Sequence, residues 1–289
     1  MFSVYLFLIT GVIIVSASSI IIKWTGDVPF AVIAFYRLFI SSLILAAYRV
    51  FVSKRSIKSV RKFHWHYFLA GFFLAGHLIS WIASLQLTTI ANSIFLESTH
   101  PVFAILVSVI FLKEFPGKSI LPAFLFAIVG MFLIVYADFG MDQTKLSGDI
   151  LAILSAILLA FYLLIARLHK NEPDFIKYLV YVYGSAAFVC AVYLIAENAA
   201  FTGFSTLSWL MMILLALGPN LMGHSILNWA SRKIEIYKVN LALLLEPVLA
   251  TLSGMILISE FPDLYFYPGA FLILFSIGYV VYREKMKMK

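Results

Sequence analysis

The chain has 289 residues, 63% of them hydrophobic and 12% charged, with a mean hydropathy of +1.01 and a formal net charge of +7. Apolar residues at that density exclude a soluble core and indicate membrane spans. The positive charge does not indicate nucleic-acid binding, because the basic residues cluster in loops between apolar runs. The single cysteine, Cys190, excludes an intrachain disulfide.

A helix crossing ~30 Å of hydrocarbon at about 1.5 Å per residue needs about 20 residues. Ten such spans fit the sequence, an all-α integral membrane protein. The first, 2–23, has no basic n-region or cleavage site of a signal peptide. Its Ser16, Ala17, Ser18 and Ser19 suggest close helix packing. The second, 29–50, carries Arg37 in mid-span. The third, 65–85, places His77, Trp81 and Ser84 on one stripe. The fourth, 89–112, holds Glu97 and His100 on one face, followed by Pro101, whose missing N–H predicts a kink. The fifth, 118–137, precedes the loop 140–148. The sixth, 148–168, contains Tyr162, and the seventh, 175–197, contains Tyr178, Tyr181 and Tyr183. Tyr162 and Tyr181 are the cavity candidates by depth, against the alternative of an interfacial belt. The eighth, 207–230, carries a bend at Pro219 and then His224, Asn228 and Ser231 at the third span's spacing. The ninth, 237–258, carries Asn240, Glu246 and Pro247, a further kink. The tenth is 264–282.

Loop charge sets the orientation. With ten spans, 18 of the 21 basic residues fall on one side, in loops such as 49–62, 167–177 and 232–238 and in the tail after 282. That side is expected to be the cytoplasm, and both termini lie there.

The chain also contains one module twice. Gly76-His77 and Ala83-Ser84 recur as Gly223-His224 and Ala230-Ser231, and Pro101-Val102 and Glu114-Phe115-Pro116 recur as Pro247-Val248 and Glu260-Phe261-Pro262. Five spans per half is an odd number, so the halves 1–140 and 141–289 are expected to insert with opposite orientation, as in many secondary transporters. They form one structural unit.

Acidic or permanently basic groups deep in the membrane are restricted to Arg37, Glu97 and Glu246. Each costs roughly 2.5–3.5 kcal/mol at mid-bilayer and so faces a cavity or a partner. Arg37 can grip a carboxylate with two parallel hydrogen bonds, or serve as a structural partner of Glu97 or Glu246. Glu97 and His100 can carry a proton, or form a hydrogen-bonded structural pair. Glu246 can meet an amine, a cation or Arg37.

These features resemble the EamA-type transporters of the drug/metabolite transporter superfamily. The similarity lies in the double module, in Tyr36-Arg37, in Trp81-Ile-Ala-Ser-Leu, and in the repeated segments Pro101-Val-Phe-Ala-Ile and Leu245-Glu246-Pro247-Val. It covers nearly the whole chain. The resemblance implies two inverted five-helix repeats around a central cavity, in the plasma membrane of a prokaryote. It implies no particular substrate. Glu97 and His100 depart from the family pattern, in which small or apolar residues are usual.

The expected function is a secondary transporter exporting a small polar or amphipathic metabolite, an amino acid first, by alternating access and with protons as a candidate coupling ion. The expected contacts are Arg37, His77, Trp81, Glu97, His100, Tyr162, Tyr181, His224, Asn228 and Glu246. A carrier or flippase for lipid-linked or nucleotide-sugar-like cargo is the alternative. An intramembrane enzyme is the remote one, since no His-Glu-x-x-His, Gly-x-Ser-x-Gly or paired intramembrane aspartates occur. The chain has no P-loop, and no cofactor or metal is expected. Partners are the substrate and the bilayer; the sequence does not give the oligomeric state.

Overall fold

The computed structural model of the chain describes residues 2–53, 65–113, 121–138, 143–234, 239, 242–243, 245–262 and 264–287. The described elements are helical. The first half comprises α1 (Phe2–Ser16), α2 (Ser18–Lys23), α3 (Phe30–Ala47), α4 (Trp65–Leu87), α5 (Ile90–Glu97), α6 (His100–Val107) and α7 (Leu121–Asp138). The second comprises α8 (Gln143–Leu168), α9 (Phe175–Ala196), α10 (Thr206–Leu215), α11 (Ser225–Lys233), α12 (Leu245–Leu257) and α13 (Phe266–Lys287). Wider π-helical turns prolong α3 and α6 and join α10 to α11 across Ala216–His224.

Helix starts follow from local chemistry. Thr89 caps α5 by accepting from the Asn92 amide at 3.1 Å, Asp174 caps α9 through Lys177 N at 3.0 Å, and Ser205 caps α10 through Ser208 N at 3.1 Å. Between caps the chain is apolar on nearly all faces, as a helix surrounded by lipid and other helices must be.

Helices long and apolar enough to cross a membrane are Val4–Lys23, Phe30–Val52, Trp65–Leu87, Ile90–Phe111, Gln143–Leu168, Phe175–Ala196 and Thr206–Lys233. The other expected spans, 118–137, 237–258 and 264–282, fall on α7, α12 and α13, whose apolar stretches among the described residues are shorter. Asn240 and part of the expected ninth span lie outside the described residues.

The expected kinks take three forms. Pro101 interrupts its span outright: α5 stops at Glu97, Ser98 and Thr99 turn, and α6 begins at His100. The missing proline N–H would have bonded the Glu97 carbonyl. His100 Nδ1 takes that carbonyl instead, at 3.1 Å. Pro219 sits inside the π-helical stretch, which hydroxyls from other helices brace: Ser41 donates to Ala216 O at 2.8 Å and Tyr183 to Asn220 O at 3.3 Å. Pro247 lies in the first turn of α12, where no helical donor is lost, so it marks a start and not a bend within the helix.

Helix pairing follows the sequence repeat. α3 packs on α9, α5 on α12 and α7 on α13, each pairing equivalent spans of the two halves. α4 packs on α8, and α1 packs on the Ala216–His224 stretch and α11. These last two pairings exchange when the halves are exchanged. Glycine permits the closest approach: a Cβ on Gly130 would meet Gly269 O at 2.7 Å, and one on Gly269 would meet Gly130 O at 2.8 Å.

Candidate substrate site

Four helix interruptions converge on one internal cavity. Ser18 enters just after the α1–α2 break, Glu97 at the end of α5, His224 at the end of the π-helical stretch and Glu246 at the start of α12. His77 and Trp81 come from the continuous α4, and Val15, Leu159, Leu227 and Leu243 supply apolar wall. The cavity is narrow: about 20 Å³ is open to the centre of a water molecule, space for about one water.

Arg37 stands behind this wall and is fully buried. None of its three guanidinium nitrogens has a hydrogen-bond partner among the described residues, and none of the ion pairs among them includes it. Its guanidinium carbon lies 6.0 Å from the Trp81 ring centroid. Trp81 stacks on His77, with centroids 6.2 Å apart and planes 4° from parallel. His77 meets His224 edge to face at 6.0 Å. The Glu97 and Glu246 carboxylates are close enough to repel each other, and Arg37 attracts Glu246 without touching it.

Other expected contacts have structural duties. His100 takes the carbonyl freed by Pro101, and its Nδ1 is 3.8 Å from Glu97 Oε1. The two residues therefore meet across a break, not along one helix face. Asn228 Nδ2 donates to the Tyr162 hydroxyl, and this buried pair is not part of the cavity wall. Tyr181 stands apart from the site, half-buried, and packs edge-on against Tyr67 at 5.8 Å. Two residues along a helix is a turn of about 200°, so Tyr183 occupies the opposite, buried face. Tyr183 is near enough to Arg37 to interact with it electrostatically. Ser155 on α8 is a contact that sequence motifs miss: its Oγ lies 2.8 Å from His77 Nδ1.

Contacts tie the helices at both ends of α4, roughly 30 Å apart. At the Tyr67 end, loop 169–174 is held from three sides. Arg49 pairs with Asp174 at 2.5 Å, the Tyr67 hydroxyl donates to Glu172, and Arg232 donates to the Lys170 and Glu172 carbonyls while lying over the Phe175 ring at 5.1 Å. At the Gln86 end, Lys23 pairs with Glu260 at 3.6 Å, Glu260 accepts from the Ile90 amide, and Gln86 donates to Val28 O at 2.8 Å.

The model of the EamA-like transporter family matches residues 2–136 and again 146–282. The chain belongs to that family. It is a multi-pass membrane transporter and not an enzyme. A protein of Rickettsia conorii named S-adenosylmethionine uptake transporter is 24% identical over 278 residues, 94% of this chain and 90% of that one. A Rickettsia bellii protein of the same name is 24% identical over 280 residues, covering 94% and 91%. A solved crystal structure that is 17% identical superposes with a TM-score of 0.73 over 97% of this chain and 98% of its own, a likeness of fold. This EamA-family transporter thus aligns over 94% of its length with proteins named as transporters of a small metabolite.

Proposed function

We propose that this chain is a secondary carrier for an amino-acid-derived metabolite that bears a carboxylate and more than one positive centre, of the S-adenosylmethionine kind. The observation that supports it most is the unpartnered Arg37 beside a cavity walled by Glu97 and Glu246. One fixed positive group and two negative ones complement a cargo with one carboxylate, one ammonium and one sulfonium. A guanidinium without a protein partner is ready for bidentate pairing with the carboxylate. Trp81 holds the Arg37 guanidinium over its ring beside the cavity. The names of the relatives favour uptake over the export expected after the family resemblance. Two carboxylates in the wall disfavour a nucleotide sugar or lipid phosphate, which would bring more negative charge.

The carrier works by alternating access between inverted five-helix repeats, 1–140 and 141–289, with ten spans and both termini in the cytoplasm of a prokaryotic cell. A cavity holding about one water cannot admit such a cargo, so one of the two tied ends must open first. Without cargo, Glu97 and Glu246 repel each other, and a proton shared between them relieves that repulsion; cargo then enters against proton release.

Binding tests the reading. Purified carrier in nanodiscs is titrated with S-adenosylmethionine, methionine and a nucleotide sugar by calorimetry. Saturable binding of the first, weaker binding of the second and none of the third is expected. Equal heats for all three, matching the buffer blank, would refute the proposed cargo class.

A further inference from the structure

The proton on one cavity histidine can be placed from its surroundings. His77 Nδ1 lies 2.8 Å from Ser155 Oγ and 3.2 Å from the Ser155 carbonyl oxygen. The Ser155 hydroxyl in turn lies 3.2 Å from the His77 carbonyl oxygen, to which it donates. A hydroxyl has one proton, and a carbonyl oxygen only accepts. The Ser155 carbonyl faces Nδ1 and can only accept, so Nδ1 carries the imidazole proton and donates it to Ser155, and the serine proton goes to the His77 carbonyl. In the neutral ring that leaves Nε2 as a bare acceptor, on a residue that lines the cavity. No protein donor among the described residues reaches Nε2.

The partner histidine differs. His224 occupies the equivalent position of the second repeat and lines the same cavity, yet its Nδ1 is buried with no hydrogen-bond partner among the described residues. The repeat has duplicated the imidazole without duplicating the group that orients it. Ser155 is fully buried on α8, in the helix pairing that brings it to α4, and no motif marks it.

We propose that Ser155 is the positioning residue of this site: it locks His77 in the Nδ1–H tautomer, so that Nε2 accepts a hydrogen bond from an N–H group of the cargo. The N–H can come from an ammonium or from the exocyclic amine of a nucleobase. This rests on the cargo class proposed above, and it adds a specificity element that a carboxylate–guanidinium pair cannot provide. A cargo without an N–H at that point leaves a buried acceptor unpaired.

The test uses the full chain in nanodiscs with 15N-labelled histidine, the His77 signals being assigned by their loss in His77→Asn. Wild type and Ser155→Thr, which keeps the hydroxyl, are expected to show the Nδ1–H tautomer. Ser155→Ala is expected to show a tautomer mixture, with affinity for S-adenosylmethionine lowered roughly tenfold, the worth of one hydrogen bond to a charged group. S-adenosylmethionine is expected to shift the His77 Nε2 resonance in wild type. A matching shift with methionine assigns the contact to the ammonium, and one with adenosine assigns it to the exocyclic amine. An unchanged Nδ1–H tautomer in Ser155→Ala would overturn the proposal. So would S-adenosylmethionine that binds wild type and leaves Nε2 unmoved. If none of the three compounds binds wild type, the cargo class fails, and the tautomer measurement still decides the role of Ser155.

Discussion

His77 and His224 stand edge to face with ring centroids 6.0 Å apart, although 147 residues separate them in the chain. They are the same position of two copies of one module, so the two halves meet at the centre of the protein along matching surfaces. The exchange of the α4–α8 pairing with the α1–α11 pairing says the same at the level of helices. Around this symmetric pair the wall is asymmetric. The site of Glu97 is Leu243 in the second half, and the site of Glu246 is His100 in the first. Each half therefore adds one carboxylate to a symmetric frame, at positions that are not equivalent.

Arg37 gives the first prediction. Leaving a buried charge without a partner costs several kcal/mol. Arg37→Met removes the charge and keeps most of the bulk. The expected outcome is a thermal midpoint equal to or above that of wild type, with affinity for S-adenosylmethionine falling at least about tenfold. Lower stability with unchanged affinity, read from unfolding and titration of the same preparation, would make Arg37 a structural residue instead.

The two carboxylates should act on the cationic part of the cargo. Glu97→Gln and Glu246→Gln are each expected to weaken S-adenosylmethionine binding several-fold and methionine binding less, because methionine brings one positive centre fewer. Glu97→Gln should also make flux insensitive to an imposed pH gradient. Competition assays and gradient-jump flux in proteoliposomes report the two effects separately; gradient dependence that survives the substitution would remove Glu97 from proton coupling.

The tied ends of α4 predict opposite changes in access. In a Cys190→Ser background, Ser18→Cys places a thiol on the cavity wall. Lys23→Ala or Glu260→Ala should speed its labelling by an impermeant maleimide from the Gln86 side. Arg49→Ala or Arg232→Ala should speed labelling from the Tyr67 side. Equal changes from both sides would show general loosening in place of gating.

The Tyr67 end also has a defined pH response. Burial pushes the Glu172 carboxyl up, but hydrogen bonds from the Tyr67 hydroxyl and the Asp174 amide, with the Lys177 charge, hold it below its ordinary 4.5 against the opposing pull of Asp174. A depressed carboxyl stabilises the closed end above that ordinary value, and the stabilisation is lost as pH falls through the lower one. Labelling from this side should therefore stay flat from pH 8 to about 5 and rise only below the ordinary carboxylate range. A rise near neutrality would rule out Glu172 as the group that titrates.

Gly130 and Gly269 test the packing of α7 on α13. Ala at either site drives a methyl group into the other helix's backbone, Gly269 O at 2.7 Å or Gly130 O at 2.8 Å, which cannot yield as the neighbouring isoleucine side chain can. Each substitution is expected to cost about 1–3 kcal/mol in reversible unfolding, the usual penalty for overpacking. The double substitution should cost less than the sum, since the first already separates the helices.

Much of this arrangement is legible in the sequence, because lipid leaves a chain few choices. Apolar length locates the seven long spans found among the described residues, and the repeated Gly-His and Pro-Val pairs reveal the double module. The three intramembrane charges fall close together in the structure: Glu97 and Glu246 line the cavity, and Arg37 lies behind it. What periodicity cannot supply is helix rotation and contact between halves. Tyr181 and Tyr183 are both tyrosines at suitable depth, and only the packing of α9 decides which faces inward. Ser155 belongs to no motif, and its meeting with His77 depends on the register of α8 against α4. The contact of His100 Nδ1 with the Glu97 carbonyl depends on the break at Pro101, which helical periodicity does not show.

The central claim is that a cargo with one negative and two positive centres is carried against Arg37, Glu97 and Glu246. Flux of radiolabelled S-adenosylmethionine into proteoliposomes tests it most directly, comparing wild type, Arg37→Met and the Glu97→Gln/Glu246→Gln pair. The expected result is saturable flux in wild type, competed by unlabelled compound and reduced to the level of protein-free liposomes in both variants. Flux no greater than protein-free liposomes in wild type, or undiminished flux in both variants, would contradict it.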